Sequence, residues 1–148
     1  MIGIENLKKD HFGPLTELAL ELWPDCDITD EREFWNEVLL SSDHYFALAK
    51  EEDKFIGFIN ISIRTDYVEG TDADNTPYLE AIFVKAEYRR KKVASLLLER
   101  GERWVKEKGF TQLASDTENH KLSSQAFHKQ SEFKGLNIIV CFVKELQS

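Results

Sequence analysis

The chain lacks the features that mark several protein classes. Only two of its 148 residues are cysteine, Cys26 and Cys141, with no CxxC pair and no histidine at metal-ligand spacing. Neither a disulfide framework nor a metal site is expected from that pattern. No apolar run approaches the roughly 20 residues needed to span a bilayer, and the opening MIGIENLKKDHF has no signal-peptide apolar stretch. The expectation is a cytoplasmic protein without a membrane partner. Positive charge is scarce as well, since 19 Lys and Arg face 27 Asp and Glu and leave a net charge of −8 with the four His neutral. Nucleic-acid affinity rests mostly on Lys and Arg neutralising phosphates, so no nucleic-acid partner is expected. A cationic ligand fits this balance, although acidity also serves simply to keep a protein soluble. Repeats, low-complexity tracts and linkers are absent from the sequence.

What is present is the material of one compact α/β domain spanning residues 1–148. A chain of this length buries roughly 68–70% of the surface its unfolded form exposes, and ten Phe, three Trp and four Tyr supply the core. IGIENL alternates apolar and polar residues as a short strand does, and from Pro14 an apolar helical pattern runs through Leu15, Leu18, Ala19 and Leu22 to the Trp23-Pro24 stop. Asp30, with Glu33 three residues on, is a candidate cap for a second helix whose stripe is Phe34, Trp35, Val38 and Leu39. Tyr45 to Ala49 and Phe55 to Ile63 read as a hairpin around EEDK, with Phe55, Gly57, Ile59, Ile61 and Ile63 at period two.

The polar stretch RTDYVEGTDADNTP is too long for a minimal turn and reads as a loop. YLEAIFV is a third good strand, KAEYRRKKV leads into a helix that stops at Gly109, and FTQLAS is a further strand. A helix from about Asn119 to Gln130 and a last, fully buried strand NIIVCFV complete the order β, α, α, β, β, β, α, β, α, β.

The segment YLEAIFVKAEYRRKKVASLLLERGERW holds the densest chemistry. A turn that opens a helix presents unpaired N–H groups and the positive end of the helix dipole, and Arg89, Arg90, Lys91 and Lys92 add cations to it. This is either an anion site or an ordinary solvated basic turn. Two acids near this turn are candidates for holding a cationic ligand. Glu80 precedes the turn on its strand, and Asp116 ends the next one, the end where ligands collect in open sheets. On spacing alone, a solvent-facing strand position suits Glu80 better and a helix cap or turn suits Asp116 better.

The order of elements and the run from IFV through YRRKKVA resemble the GCN5-related N-acetyltransferase (GNAT) superfamily, whose Q/R-x-x-G-x-G/A turn cradles the pyrophosphate of acetyl-CoA. Arg89, Val93 and Ala94 match that pattern. LWPD at Leu22 to Asp25, SIRTDYVEG at Ser62 to Gly70, YLEAIFV at Tyr78 to Val84, ASDT at Ala114 to Thr117 and S-x-x-x-H at Ser124 to His128 are together similar to the aminoglycoside 6'-N-acetyltransferases. The sequence departs from the pattern where the motif glycine is Lys92, a later glycine is Glu132, a cofactor-contacting asparagine is Lys121 and an acid of the final strand is Asn137. A side chain at Lys92 implies either crowding with a strained backbone or an added phosphate contact.

The resemblance implies a mixed, mostly antiparallel GNAT sheet flanked by helices, splayed at its middle to admit the pantetheine arm. It also implies acetyl-CoA as co-substrate without a metal, and direct transfer to the 6'-amino group of an aminoglycoside. Catalytic roles fall on Asp116, Glu80 and His128, and amine binding on Trp23, Tyr67, Glu80 and Asp116. Cofactor binding falls on Ile82, Phe83 and Val84, on Arg89, Arg90, Lys91, Lys92, Val93, Ala94 and Ser95 of the turn, and on Lys121.

Read as residues, Trp23 also suits a core position at a helix end, Tyr67 an exposed loop, and His128 either proton donation or packing against the cofactor. Asp66, Glu69, Asp72 and Asp74 either steer a cation toward the site or merely solvate their loop. A homodimer closed by the apolar NIIVCFV segment is implied too, the alternative being burial within one subunit. Two other functions stand beside this one. The first is acetylation of a different polyamine, small amine or protein amine. The second is non-catalytic binding of a cation beside a degenerate acetyl-CoA site at Lys92 and Glu132.

Overall fold

The computed structural model describes residues 1–65, 75–116, 134–135 and 141–146. Strand β1 (Ile2–Asn6) is followed by a short 3-10 turn at Lys9–His11, helices α1 (Phe12–Leu22) and α2 (Ile28–Leu40), and strands β2 (His44–Glu51), β3 (Lys54–Arg64) and β4 (Thr76–Val84). A second 3-10 turn at Ala86–Tyr88 leads into α3 (Val93–Glu107), then β5 (Gln112–Asp116), β6 (Lys134–Gly135) and β7 (Cys141–Glu145). The seven strands lie in one sheet in the order β1-β2-β3-β4-β5-β7-β6. β1 runs antiparallel to β2, β4 parallel to β5, and β7 antiparallel to both β5 and β6, so the sheet is mixed.

The chain divides into two compact units. One comprises residues 1–60 and 81–101, the other 61–80 and 102–148. The first holds the larger core. Leu15, Leu18 and Ala19 fall on one face of α1, Trp35 and Val38 on one face of α2, and both stripes pack with Phe46, Leu48, Phe58 and Phe83 of the strands. Aromatic rings carry much of that contact: Phe46 stacks on Phe58 at 5.6 Å, and Phe12 meets Trp35 at 5.5 Å.

The cap of α2 is Asp27, whose side chain accepts from the amides of Thr29 at 2.9 Å and Asp30 at 3.2 Å. Asp30 therefore lies inside the first turn, where its charge suits the helix dipole, instead of at the cap expected from sequence. The alternation read in β3 is replaced by unbroken burial from Ile56 to Ser62, because a strand between two neighbours and covered on both faces has no solvent side.

Gly57 is fixed by a close approach within the first unit. A β-carbon there would meet the Phe83 carbonyl oxygen at 2.5 Å, and next to it Lys85 donates its amide to the Ile56 carbonyl at 2.8 Å. The end of β4 is thereby pinned to β3 just before the basic turn. In the second unit, Leu113 and Ala114 of β5 are buried, and Lys144 of β7 holds Glu102 of α3 at 2.7 Å. Helix α3 ends as its sequence predicts, with Gly109 at φ +90° and Phe110 donating back to the Val105 carbonyl at 3.2 Å.

β6 has only two residues and carried no recognisable pattern. The helix expected over 119–130 and the 137–140 part of the expected NIIVCFV strand lie outside the described residues, as does the loop over 66–74. No described helix is long and apolar enough to cross a membrane.

Candidate active site

The basic turn belongs to the first unit and is built on strain. Arg90 has φ +67° and Lys92 φ +65°, both left-handed conformations that cost an L-residue about 1–2 kcal/mol. Lys92 accepts the amide of Leu96 through its carbonyl at 3.0 Å, so it stands at the N-cap of α3. The amides of Val93, Ala94 and Ser95 then fall in the first turn, where the helix offers them no acceptor. Left-handed residues interleaved in such a turn aim successive N–H groups into a concavity suited to an anion.

Arg89 does a different job from its neighbours. Its Nε donates to the Val84 carbonyl at 3.1 Å and straps the turn to the end of β4. Lys91 lies 5.3 Å from the Tyr88 ring. Among the described residues, Arg90, Lys91 and Lys92 have no ion-pair partner, whereas nearby Lys85 is held by Glu21 at 2.6 Å. Hydrogen bonding to Glu21 keeps the Lys85 ammonium above the usual lysine range, against a smaller opposing effect of desolvation. The turn thus combines free cations, dipole and unpaired amides. Its donors fit a pyrophosphate, and Lys92 already adopts the backbone that a glycine would allow.

The second cluster lies in the other unit and is electrostatically closed. Glu80 of β4 accepts from Arg64 of β3 through both oxygens, with Nε at 2.8 Å from Oε2 and Nη2 at 2.7 Å from Oε1. Ser62 Oγ donates to the same Oε2. The Arg64 guanidinium also lies over the Tyr78 ring at 3.6 Å. A carboxylate has about four acceptor sites, so these donors occupy most of those on Glu80. Glu80 is therefore a fixed hydrogen-bonding platform more than a free base.

The parallel register pairs Tyr78 with Ala114 and Leu79 with Ser115. Glu80 and Asp116 each follow the last of these pairs, and Asp116 also pairs with Cys141 of β7. The two acids singled out from sequence thus occupy neighbouring register positions. The partners of Glu80, Arg64 and Ser62, were missed. The signal existed, since both belong to the SIRTDYVEG run and Arg64 lies sixteen residues before Glu80 on an adjacent strand. Only the register reveals that they meet.

Trp23 closes the C-terminal end of α1, its amide donating to the Ala19 carbonyl at 2.7 Å and its ring 6.0 Å from Phe58. It stays 39% exposed, so it is a surface aromatic anchored at one edge and not a core residue. Ile82 and Phe83 precede the turn on β4. Tyr67, Lys121, His128 and Glu132 lie outside the described residues, as do the acids Asp66, Glu69, Asp72 and Asp74. No group of three or more His, Cys, Asp or Glu able to hold a metal occurs among the described residues.

A strand pinned at Gly57, a strapped cationic turn and the helix it opens form a site suited to a phosphate-bearing anion, and comparison with known proteins shows the family. The profile of the acetyltransferase (GNAT) family matches residues 4–133, and the chain belongs to that family. At a finer level, the aminoglycoside N(6')-acetyltransferase type 1 of Salmonella enteritidis is 32% identical over 148 residues, covering 97% of this chain and 99% of the relative. Its counterpart from Acinetobacter baumannii is 33% identical over 147 residues, covering 98% and 99%. Among solved structures, AAC(6')-Iy in complex with the bisubstrate analogue CoA-S-monomethyl-acetylneamine matches with a TM-score of 0.87 at 31% identity, covering 90% of this chain and 91% of that one. The GNAT fold expected from sequence is borne out.

Proposed function

We propose that this protein transfers the acetyl group of acetyl-CoA to the 6'-amino group of an aminoglycoside, by direct attack within a ternary complex. The left-handed cationic turn before α3 carries the co-substrate half of this reading. Full-length similarity to enzymes named for the 6'-amino group supports the acceptor half. Bound acetyl-CoA supplies a thioester activated toward nitrogen nucleophiles.

The unpaired amides of Val93 to Ser95, with Arg90, Lys91 and Lys92, take the pyrophosphate. Arg89 holds the turn in place by its bond to Val84. Backbone groups of Ile82 to Val84 hold the pantetheine arm, and Lys121 adds a further cofactor contact.

The acceptor arrives as an ammonium and must lose a proton before its nitrogen can attack. Asp116, directly or through a water, orients that nitrogen and takes the proton. The new N–C bond forms as the C–S bond breaks, the nitrogen sheds its second proton to water, and His128 donates a proton to the departing thiolate and is reprotonated from solvent. Glu80, held by Arg64 and Ser62, positions the acceptor beside the thioester. Trp23 and Tyr67 wall the amine site. The active form is a homodimer in the cytoplasm, where acetyl-CoA is available, and the acidic 66–74 segment draws the polycation in.

Isothermal titration with acetyl-CoA, followed by kanamycin and a thiol-release assay, tests this reading. Micromolar acetyl-CoA binding with kanamycin-dependent CoA release is expected. Release with spermidine but not kanamycin would move the acceptor to another polyamine, and kanamycin binding without acetyl-CoA binding would make the protein a cation binder. Asp116→Asn is expected to cut kanamycin turnover by about 100-fold or more, as for loss of a positioned proton acceptor, while acetyl-CoA affinity holds.

A further inference from the structure

Within the first unit, Trp23, Phe34, Trp35 and Phe58 wall a small cavity into which Glu31 and Asn60 also border. Its volume of about 20 Å³ is that of a site for one water-sized group. Two polar groups on its wall are poorly served by the protein itself. Asn60 is only 5% exposed, and its side-chain Oδ1 is buried with no hydrogen-bond partner. An orphaned buried acceptor of this kind costs about 1–3 kcal/mol. Glu31, at the start of α2, is part-buried, and desolvation, helped by the neighbouring Asp30, pushes its carboxyl above the usual carboxylate range.

Glu31 is also close enough to Cys26 to push its thiol up, after the larger effect of burial. A single guest answers all of these features: a small cation that donates hydrogen bonds, supplying Asn60 with a donor, Glu31 with a counter-charge and the rings with a cation. Water could donate to Asn60 and to Glu31, but it brings no counter-charge.

We propose that this cavity is an ammonium subsite, taking one primary amino group of a polyamine substrate other than the group that is acetylated. Its assignment to an aminoglycoside rests on the function proposed above, but ammonium recognition does not. The cavity's size sets the selectivity, since a primary ammonium fits and a quaternary one is excluded.

Tryptophan fluorescence, with Trp23 and Trp35 on the cavity wall, reads the site independently of catalysis. Titration with methylammonium chloride at constant ionic strength is expected to give a saturable change that tetramethylammonium chloride does not reproduce. Glu31→Gln and Asn60→Leu should each weaken that binding about ten-fold, the loss of one charge-assisted hydrogen bond. Glu31→Gln should also raise the KM for kanamycin by a similar factor while the KM for acetyl-CoA stays fixed. Glu31→Gln keeps the test open if Asn60→Leu does not fold. Absence of a saturable change in the wild type, equal responses to the two cations, or unaltered binding in a folded variant would each overturn the proposal and leave the cavity to water. Methylammonium binding in a protein that releases no CoA with kanamycin would uphold the subsite and refute the acceptor instead.

Discussion

The turn at Arg89–Lys92 and the cluster around Glu80 are both dense in charge, yet their physical states are opposite. Three cations of the turn are unpaired among the described residues, and two of its residues are held in left-handed backbone. The Glu80 carboxylate is met by a bidentate guanidinium and a hydroxyl, and none of the residues in its cluster has positive φ. Strain and uncompensated charge persist where the surrounding fold enforces them, which marks the turn as the place where an anion completes the structure. Closed pairing instead rigidifies, and it makes Glu80 an orienting group. The contrast separates a surface that binds by charge from one that binds by geometry.

Opening the closed cluster should give the largest effect. Arg64→Ala removes the bidentate partner of Glu80 and the cation over Tyr78, and kcat/KM for kanamycin is expected to fall about 100-fold through lost positioning. Calorimetric acetyl-CoA affinity should hold, and an equal loss of both would erase the distinction between the two regions.

Next comes the seat of the turn. Gly57→Ala drives a β-carbon into the Phe83 carbonyl, and denaturant unfolding should show a loss of about 2–3 kcal/mol, in the range for overpacking against backbone. Because β4 leads into the turn, acetyl-CoA binding should weaken with it.

Ionic strength sharpens the comparison without mutation. Raising salt from about 0.05 M to 0.5 M shortens the screening length several-fold. The Kd for acetyl-CoA should rise about ten-fold, as befits unpaired surface cations. A flat response would mean that the amides alone hold the anion.

The smallest effect should come from Lys92→Gly. Relief of the left-handed strain is expected to stabilise the fold by about 0.5–1 kcal/mol after the added chain entropy is counted. Loss of one exposed cation should raise the acetyl-CoA Kd only about two- to five-fold. A lower Kd would show that the lysine crowds the ligand.

Much of this fold was legible because its signals are local. The stripe Leu15, Leu18 and Ala19, the EEDK hairpin and the Gly109 stop each depend on neighbours a few residues away, and each lies where the pattern puts it. The cap of α2 was read three residues late, because Asp30 with Glu33 matches the capping pattern. Asp27 takes the role because its own backbone is extended while Asp30 is already helical. The buried run Ile56–Ser62 was read as alternating, since periodicity describes one covered face and not two.

The sequence by itself determined the three described α-helices, the hairpin, the cationic turn and the acidic balance, because propensity, capping and charge act over a few residues. Tertiary structure decided which charges are free. Arg64 and Glu80 are sixteen residues apart and become partners only through the pairing of β3 with β4. Trp23, Glu31 and Asn60 come from two helical segments and a strand, and they share a cavity only because α1 and α2 pack with the strands in one core. Compensation of charge and satisfaction of a buried amide are properties of distance, and distance between remote residues is set by packing.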